Sequence, residues 1–287
     1  MKILITGANG SIGSDLVKHF SKKNKVYAFY RTQNFIVNKL KDKNINWIQQ
    51  DLKNKLKTKI YPDLIIHSAI THDFAKKNLY QDYINSNIIG LRNIIDFANA
   101  NKVKHFIYFS SFKVYGDVKK KILTEDNLFI NQTLLGATKF LSEKIIEEQK
   151  FKYLIIRLPG VLSYLNSDVR RPWINTIINN LKKNKKINVF NSKKLFNNFI
   201  DTSEIAKFIE HLISEKLFNN DTVNLSASRP IQLKKIIIFL KDKLKSKSKI
   251  IYNKKKTDNY YISDRKIKKI FKYKTLGVLE SLRKILD

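Results

Sequence analysis

The 287-residue chain has no cysteine, which excludes disulfides and any thiolate metal site and is compatible with a reducing compartment. No apolar run approaches the roughly 20 residues that cross a bilayer. Met1 leads almost directly into an apolar segment, which leaves no room for a signal peptide. The expectation is a soluble, cytoplasmic protein with no membrane segment. Acidic residues are also scarce: 24 Asp and Glu face 56 Lys and Arg, a formal net charge of +32. That surplus raises nucleic-acid binding as a hypothesis. However, only 8 of the basic residues are arginine, the other 48 being lysine. Specific readers of bases and phosphates favour arginine forks, and these lysines run along the whole chain. Drift of AT-rich codons into surface positions explains the composition. No specific nucleic-acid partner is expected, only nonspecific attraction for anions.

Internal repeats and low-complexity linkers are missing too, although 241–256 is rich in lysine. What is present is alternation. Short apolar stretches at 2–6, 25–30, 45–49, 64–68, 105–110 and 153–158 read as strands. Helical patterns at 11–21, 80–100 and 137–150 lie between them. Strand and helix in alternation imply an α/β fold with a doubly wound parallel sheet, the Rossmann architecture, over residues 1–160. After Leu158 the pattern loosens. Helices near 173–182, 203–212, 233–244 and 263–270 and a strand near 187–190 suggest a smaller, mainly helical C-terminal substrate lobe over 161–287. Whether the chain returns to the sheet near 199–225 stays open.

The first strand runs into Gly7, Ala8, Asn9, Gly10, Ser11, Ile12 and Gly13, and then into an amphipathic helix. A turn poor in side chains lets backbone N–H groups approach a pyrophosphate at the helix N-terminus. In this context the glycines read as dinucleotide-binding. An acidic residue about 18 residues beyond Gly13 would hold the adenosine ribose 2′-hydroxyl. Tyr30, Arg31 and Thr32 stand there instead. Arg31 can pair with a 2′-phosphate, which favours NADP(H), with NAD(H) the alternative.

Farther along come Asp51-Leu52, then Ser68-Ala69 after the fourth strand, then Asn87 and Gly90 in the following helix. Phe109 to Gly116 reads FSSFKVYG, Arg157 to Val161 reads RLPGV, and Asn198 to Ala206 reads NFIDTSEIA. In this order and spacing the motifs resemble the extended short-chain dehydrogenase/reductase family, the nucleotide-sugar epimerases, dehydratases and reductases. The resemblance covers nearly the whole chain. It implies that Asp51 and Leu52 flank the adenine, that Ser68 and Ala69 line the cofactor groove, and that Pro159 passes the nicotinamide. It also implies that Ser111 is the catalytic serine and that Lys139 holds the nicotinamide ribose.

The family's chemistry rests on Tyr-x-x-x-Lys, whose phenol moves a proton as hydride moves to or from the cofactor. Lys139, Ser142 and Glu143 match that segment, but the tyrosine position holds Leu135. Leucine carries no proton. Another group can stand in, with His72, Tyr115 and Tyr164 as candidates. Ser111 with a water and the substrate can manage at a reduced rate, or the protein binds cofactor and ligand without turnover. The Asp-Glu pair that family dehydratases carry after the serine is also missing. Phe112 and Lys113 stand there, which sets 4,6-dehydration aside.

On the substrate side, Arg170 and Arg171 are candidates for a diphosphate, with Lys113, the lysines at 254–256 and Arg229 as further cations. Trp173 is suited to stacking on a base or to a helix core. Ile84, Ile88, Leu91 and Ile95 share one helical face. The helix pair at 80–100 and 137–150 corresponds to a dimer interface in many relatives, so the resemblance implies a homodimer. The expected function is NAD(P)(H)-linked oxidoreduction of a nucleotide-activated sugar, by 4-keto reduction or epimerisation, in surface-polysaccharide synthesis. A non-catalytic NADP(H)-binding subunit is the alternative.

Overall fold

The computed structural model describes residues 1–71, 80–165, 172–253 and 259–287. Seven strands form one sheet: β1 (Lys2–Thr6), β2 (Lys25–Tyr30), β3 (Ile45–Gln49), β4 (Leu64–His67), β5 (His105–Ser111), β6 (Lys152–Leu158) and β7 (Asp221–Asn224). Their order is β7-β6-β5-β4-β1-β2-β3, and every neighbouring pair is parallel. A parallel sheet is covered on both faces, so its strands are apolar on both sides. On one face Ile3, Ile5, Val26, Ile66, Ile107 and Ile156 pack beneath α1 (Ser11–Phe20). The other face, with Leu4, Phe29, Ile65, Phe106 and Ile155, packs beneath α2 (Gly90–Ala100) and α3 (Leu134–Glu147).

The six strands expected from the sequence are present to within a residue or two. The seventh was not resolved as a strand by pattern. β7 is four residues long and of its residues only Val223 joins the apolar core, so no periodicity marks it. It pairs with β6, and just before it α5 (Thr202–Ser214) packs on the same face as α1. Four further helices are α4 (Trp173–Lys182) before α5, and α6 (Leu233–Lys243), α7 (Arg265–Ile270) and α8 (Val278–Leu286) after it. The apolar faces of α4, α6 and α8 enclose a separate core around Ile177, Leu181, Ile236 and Leu282. Short two-stranded pairings tie this part to the sheet, among them Phe199–Asp201 with Gly160–Leu162 and Tyr261–Ile262 with Ile122–Leu123. Asp15 of α1 makes another tie. Its carboxylate accepts from the Ser163 hydroxyl, the Tyr164 and Leu165 amides and the Thr202 hydroxyl at 2.6–3.1 Å.

The 80–100 helix differs from expectation. Residues Ile84–Ile89 are π-helical between Tyr80–Tyr83 and α2. The wider turn rotates the faces against each other, so the 84-88-91-95 spacing does not mark one surface. Leu91 and Ile95 are buried in the chain's own core, whereas Ile84 is exposed.

Beneath the C-terminal ends of β5–β7 lies a buried polar network. Arg157 of β6 makes a two-pronged pair with Glu143 of α3, at 3.1 Å from Nε to Oε1 and 2.7 Å from Nη2 to Oε2. Both side chains are almost fully enclosed. Ser110 of β5 donates to the same carboxylate. Arg157 Nη1 donates to the Tyr115 hydroxyl (2.9 Å), which donates to Asn224 Oδ1 of β7 (2.8 Å). Removing one member of a buried pair leaves the other charge uncompensated. Glu143→Ala is therefore expected to lower unfolding stability by about 3–5 kcal/mol. Glu143→Met with Arg157→Met should cost less than that single change, as read by urea denaturation.

Candidate active site

A cleft of about 1010 Å³ opens at the C-terminal ends of the strands, where α/β sheets bind ligands because the strand order reverses there. The reversal lies between β1 and β4, whose ends are stitched together by Thr6. Its hydroxyl oxygen accepts from the Ser68 and Ala69 amides, both at 3.2 Å, and contacts His67 Nδ1 at 2.9 Å. With both amides directed at that oxygen, the Thr6 proton points to the imidazole. Burial, followed by the charge of Lys139, pushes His67 down to about 3, so the ring is neutral.

The glycine turn fits a dinucleotide. Gly7 has φ +61°, and a Cβ there would sit 2.8 Å from Ala69 Cα. At Gly13 a Cβ would lie 2.2 Å from the Gly7 carbonyl oxygen, so only glycine lets the helix start this close to the turn. The N-cap of α1 is Gly10, with no side-chain cap and no acidic residue in the first turn. The first N–H groups are thus left to an anion. Asn9 Nδ2 donates to the Thr32 carbonyl at 2.7 Å, and Asn34 Nδ2 donates to the Asn9 carbonyl at 3.0 Å. The loop after β2 is thereby held against the turn.

Gly7, Asn9, Gly10, Ser11, Ile12, Gly13, Tyr30, Arg31, Thr32, Asp51, Leu52, Ser68, Ala69, Lys139 and Pro159 all line this cleft, as do Ser111 and Lys113. Asn87 is not among the lining residues. It is buried behind the wall, accepting from the Thr71 amide (2.9 Å) and donating to the Thr138 hydroxyl (3.1 Å). It sits in the π turn, a feature common at functional sites, and ties the loop after β4 to α3. His72, Arg170, Arg171 and the lysines at 254–256 lie outside the described residues.

Ser111 ends β5 and caps the short 3-10 turn Phe112–Tyr115, its Oγ accepting from the Lys113 amide at 3.2 Å. The hydroxyl proton stays available to the cleft. Lys139 is buried, with Nζ donating to the Phe109 carbonyl at 2.6 Å and lying 4.3 Å from the Tyr108 ring centre. Burial pulls it down to about 7, against the opposing charge of Glu143. One helical turn earlier, Leu135 is buried and does not line the cleft.

The other groups weighed for the leucine's missing proton are elsewhere. Tyr115 is fully buried in the Arg157 network and is not part of the cleft wall; burial raises its phenol to about 12. Tyr164 also does not line the cleft, and its hydroxyl lies 3.4 Å from Asp201 Oδ1. Arg229 is paired with Glu280 at 2.5 Å, away from the cleft. Trp173 does line it, half-exposed and edge-on to Phe196 at 5.8 Å. Several lining residues were not singled out from the sequence, among them Phe196, Asn198 and Tyr260. Asn198 belongs to a motif that was noticed; nothing in the sequence around Tyr260 marks it. Among the described residues the buried Asn198 side-chain oxygen has no partner, an acceptor open to a ligand donor.

Residues 3–226 match the model of the NAD dependent epimerase/dehydratase family. The chain belongs to that family. It is an extended short-chain dehydrogenase/reductase. Protein CapI of Staphylococcus aureus is 25% identical over 242 residues, 75% of this chain and 70% of that one. The GDP-6-deoxy-D-talose 4-dehydrogenase of Aggregatibacter actinomycetemcomitans is 27% identical over 230 residues, 78% of this chain and 74% of its own. Among solved structures, the UDP-glucuronic acid 4-epimerase of Bacillus cereus in complex with NAD aligns over 100% of this chain and 96% of its own, at TM-score 0.81 and 19% identity. The last two are named for nucleotide-sugar reactions, and that solved neighbour holds NAD.

Lys139 generates a testable pH dependence. Its folded pKa lies below the unfolded value, so between about pH 7 and the ordinary lysine range the unfolded chain holds more protons on this group. Stability then rises with pH across that window, by up to roughly 1.4 kcal/mol per unit from this residue alone. Lys139→Met should flatten that rise, measured as the difference between wild-type and variant denaturation midpoints. An unchanged slope would mean the buried lysine keeps its charge.

Proposed function

We propose that the protein is an NAD(P)(H)-dependent oxidoreductase of a nucleotide-activated sugar, working by 4-keto reduction or epimerisation in surface-polysaccharide synthesis. The observation that carries this reading is that Ser111, Lys139 and the dinucleotide turn line one cleft. The nicotinamide, when bound, exchanges hydride with the sugar carbon. Ser111 hydrogen-bonds the carbonyl oxygen, and Lys139 holds the nicotinamide ribose. Asp51 and Leu52 bracket the adenine, and Pro159 borders the nicotinamide. At the substrate end Lys113 meets the anionic ligand; among the described lining residues no carboxylate opposes it there. The orphaned Asn198 oxygen takes a ligand hydroxyl. Trp173 supports stacking of the nucleobase.

NADP(H) is the preferred cofactor in this reading. Arg31 is exposed in the cleft wall after β2, and the neighbouring Tyr30 and Thr32 bring no carboxylate to repel a 2′-phosphate. Arg31→Ala should weaken NADPH binding on the order of tenfold, the worth of one phosphate pair, and leave NADH binding nearly unchanged in fluorescence titrations. Equal loss for both cofactors would remove the NADP(H) preference.

A homodimer is part of the proposal. Tyr80, Ile84, Leu134 and Leu141 are exposed apolar residues on the helical pair expected to meet a second copy. The second reading, a non-catalytic NADP(H)-binding subunit, is favoured by Leu135. One experiment separates the two. Protein loaded with NADPH or NADP+ is mixed with keto or hydroxy nucleotide sugars while nicotinamide absorbance is followed, with Leu135→Tyr in parallel. Turnover by the native chain supports the enzyme. A silent native protein beside a reactive tyrosine variant supports the binding subunit.

A further inference from the structure

If the protein is the oxidoreductase proposed above, on which this inference rests, a proton must reach the sugar oxygen with Leu135 unable to give one. Around Ser111, the described side chains of the cleft wall that carry a proton are Ser111, Lys113, Lys139, Tyr260 and Ser110, the last of which gives its proton to Glu143. An alcohol such as Ser111 is too weak an acid to finish with the negative charge. Lys139 Nζ is turned onto the Phe109 carbonyl and almost sealed from solvent. Lys113 is an exposed, flexible ammonium. Tyr30, the other phenol in the wall, stands at the end of β2 beside Arg31, against Trp47.

Tyr260 lines the cleft and packs beside Phe112, next to Ser111. It packs on the apolar cluster of Phe112, Val114, Tyr115, Leu123 and Ile262, which continues directly from Ser111. The backbone around it is pinned. Asn259 Nδ2 donates to the Leu195 carbonyl at 3.2 Å, and the Tyr261 amide donates to the Lys121 carbonyl at 3.1 Å. Buried Asn197 exchanges two hydrogen bonds with the Ile262 backbone, at 2.8 and 3.0 Å. The Tyr261–Ile262 strand pairs with Ile122–Leu123. The phenol itself makes no hydrogen bond among the described residues.

We propose that Tyr260 is the proton donor of this enzyme, a phenol delivered from the C-terminal part of the chain in place of the one missing from α3. As hydride from the reduced nicotinamide reaches the carbonyl carbon, the C=O π pair moves to oxygen, and that oxygen takes the phenolic proton of Tyr260. Water then reprotonates the phenolate. Burial raises this phenol above its ordinary value, so it enters the step protonated at neutral pH.

The test uses the full chain labelled with 3-fluorotyrosine and loaded with NADP+, its Tyr260 signal identified by its loss in Tyr260→Phe. UDP-glucose, whose hydroxyls occupy the reacting position, is expected to shift that ¹⁹F signal; UDP alone is not. In Leu135→Tyr the new phenol should take over the contact and reduce the Tyr260 shift. With any keto sugar the wild type reduces, Tyr260→Phe should slow hydride transfer by about 100-fold or more, the usual worth of a general acid, with NADPH affinity unchanged. Identical Tyr260 signals with UDP and UDP-glucose, or a Tyr260→Phe rate close to wild type, would overturn the inference and leave the enzyme reading standing. If no tyrosine signal responds to either nucleotide, the nucleotide-sugar reading fails and takes this inference with it.

Discussion

The ion pair between Arg157 and Glu143 is the constraint on which the Ser111 end of the cleft depends. A strand and a helix meet there in a region closed to water, and neither charge can stay unless the other is correctly placed. The guanidinium satisfies this by bonding both carboxylate oxygens with its fork while its remaining nitrogen reaches Tyr115. Through Tyr115 and Asn224 the arrangement extends to β7, and through Ser110 to β5. Three adjacent strand ends and α3 are thus fixed by one polar cluster. Ser111 and Lys139 lie directly on the elements so fixed.

The same geometry explains how a cleft can lack its usual phenol and remain well formed. Leu135, at the first turn of α3 where the family carries a phenol, is buried behind the wall. Lys139, one turn on, does not collapse into solvent; it takes the Phe109 carbonyl and the face of Tyr108. Loss of one proton carrier therefore need not dismantle the dinucleotide cradle, which is stabilised separately by Gly7, Gly13 and the Thr6–His67 stitch. The glycine turn and the position of Leu135 are thus structurally independent features of this chain.

Much of this was legible in the sequence, and what was not has physical reasons. β1, β2, β4, β5 and β6 announce themselves because strands buried on both faces must be apolar throughout. The glycine turn is legible because steric contact at Gly13 permits only one residue type. β7 is hidden because a four-residue edge strand with polar ends has no period. The π turn at Ile84–Ile89 defeats any reading at helical spacing, which is why Leu91 turned inward and Ile84 outward. Tyr115 was a reasonable candidate by proximity to Ser111, yet the 3-10 turn points it at Arg157, below the cleft. Conversely, Tyr260 lies far from every motif in sequence, and only the pairing of two very short strands brings it to the site. Distant pairings of that kind leave no local signal.

Asp15 gives the molecule a mechanical property as well as an anchor. Its carboxylate gathers four donors from 163–165 and Thr202 onto the helix whose first turn lines the cleft. These bonds share one acceptor group, so shifting the 163–165 segment means breaking several of them together rather than peeling them off singly. The helix and the segment leading out of β6 consequently behave as one lever. A ligand that moves either end feels the stiffness of both.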